Sequence, residues 1–176
     1  MKGAIECADK VTTVSPTYAY EIMDPWYSHG LDGLLREKAY KTCGILNGID
    51  TVVYDPAADP LIAYHFDRDT FETGKARCKD DLREIFKLEK NGEPIVGMVT
   101  RLVSHKGLDL VRHVAEYIVL SGLQFVIVGN GDYMYESFFN ELAAKYPGRV
   151  GVYIGFNPEL AHKVYAGADM FLMPSK

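Results

Sequence analysis

The chain has 176 residues, of which 48% are hydrophobic and 24% charged, which is ordinary for a globular protein of one mid-sized domain or one domain plus a fragment. Its net charge of -5 argues against a nucleic-acid-binding protein, which normally carries a basic face. No apolar run approaches the roughly 20 residues of a membrane span, and the first residues lack the apolar stretch of a signal peptide.

The first zone, residues 1–46, contains the elements of a sheet edge but is shorter than a domain. Its β-rich run ends at Ser15-Pro16, and a serine before a proline predicts the start of a helix. The predicted elements are a strand over residues 11–14, helices over 18–23 and 31–40, and a short buried strand over 43–46.

The second zone, residues 47–93, reads as a connector followed by a helix. Asn-Gly and two Asp-Pro steps lie close together at its start, and such steps mark turns. An amphipathic helix with alternating charge is predicted over residues 73–88, and Lys-Asn-Gly ends it at 90–92.

The third zone, residues 94–176, has the clearest pattern. Its predicted strands cover residues 95–99, 125–128, 150–154 and 170–173, and its predicted helices cover 107–120, 133–146 and 158–166. Continuous apolar strands that alternate with helices indicate a parallel sheet covered on both faces. We therefore predict an α/β fold with a Rossmann-like, doubly wound sheet.

Two cations follow the first strand of this zone. Ligands of open α/β sheets bind beyond the carboxyl ends of the strands, and Arg101 and Lys106 share one short loop there that enters a helix. Arginine can hold phosphate oxygens with two hydrogen bonds, and a helix N-terminus also favours negative charge. The spacing fits an anion site, but by itself it slightly favours two solvated surface cations.

The loops after the next two strands offer weaker signals. Gly129 and Gly131 allow a close approach of backbone to a ligand, yet a simple tight turn explains them as well. The dinucleotide fingerprint GxGxxG is incomplete because its third glycine is replaced by Met134, which weighs against a Rossmann dehydrogenase. Phe156 can stack on a nucleobase, but the residues alone favour an apolar plug that closes the end of the sheet.

The spacing of the histidines and cysteines indicates no further catalytic or metal site. The five histidines are scattered, and none is placed with a serine or cysteine in a nucleophile motif, which disfavours a triad hydrolase. Three cysteines without a CxxC or Cys/His spacing argue against a disulfide framework and a structural zinc site. They fit a reducing cytoplasm.

Taken together, seven stretches make the chain resemble the bacterial and plant-type glycogen and starch synthases over nearly its whole length. In order and spacing they are KVTTVSPTYAYEI, HGLDGLL, GILNGID, TRLVSHKGLDL, GNGD, KYPGRVGVYIGF and YAGADMFLMPSK. The resemblance implies part of a GT-B glycosyltransferase, with two Rossmann-like domains facing a cleft. Residues 1–46 would be the tail of the N-terminal domain, 47–93 the interdomain crossing and linker helix, and 94–176 a partial C-terminal nucleotide-binding domain.

The resemblance also implies residue roles. Similar enzymes transfer glucose from ADP-glucose to the non-reducing end of an α-1,4-glucan, with retention and without a metal or other cofactor. Arg101 and Lys106 match the pair that neutralises the donor diphosphate and are the candidate catalytic residues. Phe156 matches a tyrosine near the base, Gly129 and Gly131 would let the nucleotide approach, and Asn47 matches an asparagine on the sugar side.

Departures from the family pattern limit what is expected of the chain itself. His105 replaces the more usual glutamine or glutamate, and the family's KxGGL and E-x-x-G-L segments lie outside these residues. We therefore expect the isolated chain not to synthesise glucan. A non-catalytic nucleotide- or sugar-phosphate-binding module is the alternative, the choice between ADP and UDP stays open, and association between copies is expected if apolar strand faces are uncovered.

Overall fold

The computed structural model describes residues 1–175, and the chain divides into two units, Met1–Asp50 and Thr51–Lys176. The first unit contains α1 (Lys2–Cys7), β1 (Val11–Thr13), α2 (Pro16–Glu21), α3 (Pro25–Ser28), α4 (Asp32–Glu37), a 3-10 turn (Ala39–Lys41) and β2 (Thr42–Gly44). The second contains α5 (Phe71–Phe86), β3 (Ile95–Val99), a 3-10 turn (Ser104–Lys106), α6 (Leu108–Leu120), β4 (Gln124–Gly129), α7 (Tyr133–Lys145), β5 (Val150–Ile154), α8 (Pro158–Gly167) and β6 (Met170–Phe171).

The first unit is built on one parallel pair of strands, β1 and β2. Ser15 caps α2 as its sequence predicts, because its side chain accepts a hydrogen bond of 3.2 Å from the Tyr18 amide. The small core of this unit contains Ile5, Ile22 and Leu35. Helices α1 and α3 escaped prediction, since six and four residues carry too little periodicity to indicate a helix.

The buried strand predicted over residues 43–46 is wrong in two respects. The strand ends at Gly44, and Cys43, Ile45 and Leu46 are exposed. Within residues 1–175, β2 pairs only with β1, and none of its three residues is buried. An apolar run of four residues indicates a strand well, but it says little about whether another layer covers that strand.

The second unit contains a four-stranded parallel sheet in the order β5-β4-β3-β6. Side chains of β4 alternate between two cores: Phe125 and Ile127 pack with α6 and α7, whereas Val126 and Val128 pack with α5 and α8. Helices therefore cover both faces, and the predicted Rossmann-like α/β fold is confirmed. Burial on both faces also explains why the strand is apolar throughout.

Helix α8 lies very close to the sheet. A Cβ atom on Gly97 of β3 would lie 2.7 Å from a methyl carbon of Val164, so glycine lets the helix approach the strand. Before α5, residues 51–70 form no regular helix or strand, but Ile62 and Phe66 of this stretch pack with Cys78 and Ala166. Within the described part of the chain, no helix combines the length and apolarity needed to cross a membrane.

Candidate functional site

A cavity of about 190 Å³ lies at the carboxyl ends of β3, β4 and β5. Because parallel strands end at the same edge, the loops that follow them meet there. We call it the sheet-edge cavity. Its lining residues are Val99, Thr100, Arg101, Val128, Gly129, Asn130, Gly155, Phe156, Asn157, Pro158 and Ala161.

Larger cavities occur elsewhere on the second unit but lack this position. One of about 400 Å³ is lined by α5, α8 and the stretch before α5, and one of about 530 Å³ lies between α6 and α7. Neither includes a residue of the loops that directly follow the strands. The sheet-edge cavity is therefore the candidate ligand site.

Arg101 is an exposed cation on the wall of the sheet-edge cavity. Among residues 1–175 its guanidinium makes no ion pair or hydrogen bond, so its donors are available to a ligand. The neighbouring residue, Leu102, is fully buried and holds the loop in place. Its amide donates to the Asn130 carbonyl at 2.8 Å, and its carbonyl accepts from the Asp132 amide at 2.8 Å.

Gly129 and Gly131 both lie against this loop. A Cβ on Gly129 would lie 1.9 Å from the carbonyl oxygen of Thr100, and one on Gly131 would lie 2.3 Å from that of Leu102. The Gly131 amide is already used, because it donates to a carboxylate oxygen of Glu136 at 2.8 Å. Contact between two backbone segments thus accounts for both glycines, and their predicted contact with a nucleotide stays a prediction.

Lys106 lies on the same segment as Arg101 but does not line the sheet-edge cavity. It ends a 3-10 turn and directly precedes Gly107, the N-cap of the 13-residue helix α6. Gly107 has a φ of 70°, and a Cβ there would lie 2.1 Å from the Pro174 carbonyl oxygen, so only glycine fits. Lys106, a half-exposed residue, therefore directly precedes the N-terminus of α6, where the helix dipole is positive.

Phe156 does not close the end of the sheet. Its side chain is 86% exposed while still lining the sheet-edge cavity, which leaves the ring available for stacking. It is held close to α8, because the next residue, Asn157, caps that helix by accepting a hydrogen bond of 3.0 Å from the Leu160 amide. The apolar-plug interpretation is therefore wrong.

The structure brings Arg101, Gly129 and Phe156 around one cavity, with Lys106 and Gly131 in the adjoining loops. Asn47 is exposed and belongs to the first unit, so its predicted sugar contact stays a prediction. No group of three or more potential metal-ligating side chains occurs within the described residues.

Sequence reasoning missed four polar or helix-initiating residues of the lining, Thr100, Asn130, Asn157 and Pro158. Their position directly after a strand, or at the Asn-Pro start of α8, was the available signal.

Two family models match the chain. Residues 1–37 match the starch synthase catalytic domain, and residues 80–176 match the glycosyl transferases group 1. The second match includes every residue that lines the sheet-edge cavity.

The chain is also similar to curated glycogen synthases, with which it shares about half of its aligned residues. The chain is 51% identical to one from Bacillus cereus (strain ATCC 10987 / NRS 248), over 99% of this chain and 37% of the relative. It is 48% identical to one from Anoxybacillus flavithermus, over 100% of this chain and 36% of the relative. The chain thus spans little more than a third of the length of these relatives.

Two solved structures also resemble the chain. The catalytic domain of starch synthase IV from Arabidopsis thaliana, bound to ADP and acarbose, matches with a TM-score of 0.93 and 36% identity, over 99% of this chain and 36% of that one. An Anabaena protein in complex with UDP and glucose matches with a TM-score of 0.55 and 16% identity, over 98% of this chain and 39% of that one. The second likeness concerns the fold alone.

Proposed function

This chain belongs to the group 1 glycosyl transferases, and we propose that its protein transfers glucose from ADP-glucose to the non-reducing end of an α-1,4-glucan with retention of configuration. One observation carries the proposal: Arg101, Gly129 and Phe156 surround a single cavity at the carboxyl edge of the sheet. Similarity to glycogen synthases, and to a starch synthase that binds ADP and acarbose, supports the choice of donor and acceptor.

The donor diphosphate is the part of the substrate that these residues suit best. Arg101 offers the phosphate oxygens a guanidinium that bonds to no other described side chain, and Lys106 adds a positive charge at the start of α6. When the bond between the glucosyl carbon and the phosphate oxygen breaks, its electron pair stays on the departing ADP. Cations at this position stabilise that charge, and removing one such group costs on the order of a hundred- to thousandfold in rate.

Other residues bind the nucleoside and the sugar of the donor. The exposed Phe156 ring stacks on the base, and the backbone around Gly129 forms the neighbouring wall of the cavity. Asn47 contacts the transferred glucose, a role that rests on the family resemblance.

Binding of ADP to the 176-residue chain tests the nucleotide site. Calorimetric titration should give saturable binding, and Arg101→Ala should weaken it about ten- to a hundredfold, since a hydrogen bond to a charged group contributes about 1.5–3 kcal/mol. Arg68→Ala is the matched control, because Arg68 is exposed and does not line the sheet-edge cavity. Equal loss in both variants would contradict the proposal.

Transfer is tested separately from binding. Residues 1–176 replace the matching segment of the Bacillus cereus glycogen synthase, and glucose transfer from labelled ADP-glucose to glycogen is measured. We expect activity that Arg101→Ala and Lys106→Ala each reduce on the order of a hundredfold or more. A folded chimera that binds ADP without transfer favours the alternative, a non-catalytic nucleotide-binding module.

Two further properties are part of the proposal. Cys7, Cys43 and Cys78 are all free thiols, which suits a cytoplasmic location. Association between copies remains a prediction that sedimentation analysis can test.

A further inference from the structure

Helix α8 separates two different environments. Its first turn, through Pro158 and Ala161, forms part of the wall of the sheet-edge cavity and begins two residues after Phe156. The next residue, His162, instead lines the cavity of about 400 Å³ together with residues from 54–66, which we call the 54–66 loop. A shift of this helix therefore alters both cavities.

The 54–66 loop is bonded to His162 by a buried pair. Nδ1 of His162 lies 2.6 Å from Oδ2 of Asp59, and both side chains are only 6% exposed. The other oxygen of Asp59 accepts a hydrogen bond of 2.9 Å from the Leu61 amide. The Tyr54 ring covers the imidazole, with ring centroids 4.5 Å apart and planes 17° from parallel.

Besides its apolar packing, α8 is bonded to α5 through Lys75 and Lys163. Leu160, Val164 and Ala168 hold the helix against the sheet, but apolar contacts have little directional preference. A hydrogen bond and a ring stack do have a preferred geometry, so the Asp59–His162 pair resists rotation and sliding of α8. Replacing both members of a buried polar pair with apolar residues is often neutral for stability, so the main contribution of this pair is a defined arrangement of α8.

We propose that His162 is a positioning residue for the sheet-edge cavity: bonded to Asp59 and stacked on Tyr54, it fixes the part of α8 that supports the nucleoside side of a bound nucleotide. This inference rests on the proposed nucleotide-binding function. The phosphate side depends on Arg101 and the start of α6, which are on other elements. Losing the pair should therefore weaken binding of ADP and spare binding of inorganic pyrophosphate.

The test compares wild type with His162→Ala, using ADP and pyrophosphate as probes in calorimetric or phosphorus NMR titrations. We expect the ADP dissociation constant to rise about five- to tenfold, the loss expected for one or two hydrogen bonds, and that for pyrophosphate to change less than about twofold. His162→Asn is the rescue variant, because its amide nitrogen can donate from the position of Nδ1. It should restore most of the ADP affinity.

A second measurement follows the helix itself. The amides of Leu160 and Ala161 bond to the side chain and carbonyl of Asn157, and hydrogen exchange at these amides should accelerate in His162→Ala. If His162→Ala fails to fold, Tyr54→Leu removes the stack at a half-exposed position. This variant should likewise weaken the binding of ADP more than the binding of pyrophosphate.

Several outcomes overturn the inference: unchanged ADP affinity in folded His162→Ala, equal weakening of ADP and pyrophosphate, or no rescue by His162→Asn. Absence of ADP binding by wild type would instead overturn the proposed function. In that case the exchange rates of Leu160 and Ala161 still decide whether the Asp59–His162 pair holds α8.

Discussion

Gly129 lies where β4 ends against the loop after β3, and no side chain fits there. A Cβ would lie 1.9 Å from the Thr100 carbonyl oxygen, so that backbone would have to move. We expect Gly129→Ala to lower the free energy of unfolding by about 1–3 kcal/mol, the usual cost of overpacking. Gly33→Ala in α4 is the control, because its Cβ meets no atom within 4 Å. Urea unfolding checks both, and equal stability would contradict the prediction.

Asp59 should make stability depend on pH. Burial by itself raises the pKa of this carboxyl, but hydrogen bonds from His162 and the Leu61 amide, with the charges of His162 and His65, hold the pKa below its usual range. A carboxyl with a lowered pKa in the folded state stabilises the fold above its unfolded pKa, and this contribution is lost as the pH falls through the folded value.

We therefore expect the difference in unfolding free energy between wild type and Asp59→Asn to shrink as the pH falls below about 4. Denaturant titrations at several pH values between about 3 and 7 measure it. A difference that stays constant between about pH 5 and pH 3 would show that the carboxyl does not contribute in this way.

At the scale of elements, the loop that carries Arg101 is held to the loop after β4 by one buried side chain and two backbone hydrogen bonds. Leu102 is fully buried, and both its amide and its carbonyl bond to that neighbouring loop. We expect Leu102→Ala to cost about 2–5 kcal/mol of stability. Leu120→Ala, at a site that is 66% exposed, should cost less than about 0.5 kcal/mol. Chemical unfolding of the two variants tests the contrast.

The start of α8 gives a second prediction at this scale. Asn157 caps the helix beside Phe156, and its side chain satisfies the Leu160 amide. We expect Asn157→Ala to destabilise the fold by about 0.5–2 kcal/mol and Asn157→Ser to retain most of the stability, because serine also caps helices well. Thermal unfolding measures both variants. Equal melting temperatures for alanine and serine would exclude the cap as a significant contribution.

For the whole molecule, the net charge is negative, whereas Arg101 and Lys106 make the surroundings of the sheet-edge cavity locally positive. The chain carries a net charge of -5, which disfavours an anionic nucleotide, so binding must depend on the cations near the sheet-edge cavity. Every residue of that cavity belongs to the second unit. We expect residues 51–176, once shown to be folded by circular dichroism, to bind ADP within about twofold of the full chain. A tenfold loss would assign part of the nucleotide site to residues 1–50.

The arrangement of the second unit was predictable from sequence because it depends on local patterns. The apolar runs at Ile95–Val99 and Val150–Ile154 match the observed strands to the residue. Helix α5 begins two residues before its predicted start, where Thr70 makes no side-chain cap. The position of Arg101 after a strand also followed from the alternation of strands and helices.

The sequence by itself determined the fold class, the family resemblance and the loop that carries the two cations, since these depend on residue order and periodicity. Only the tertiary structure decided that Phe156 is exposed, that Gly129 and Gly131 accommodate a neighbouring backbone, and that His162 bonds to Asp59, 103 positions away. These features arise from contacts between segments far apart in the chain. No local pattern encodes such contacts, because the partner of each residue is chosen by the packing of the sheet and its helices.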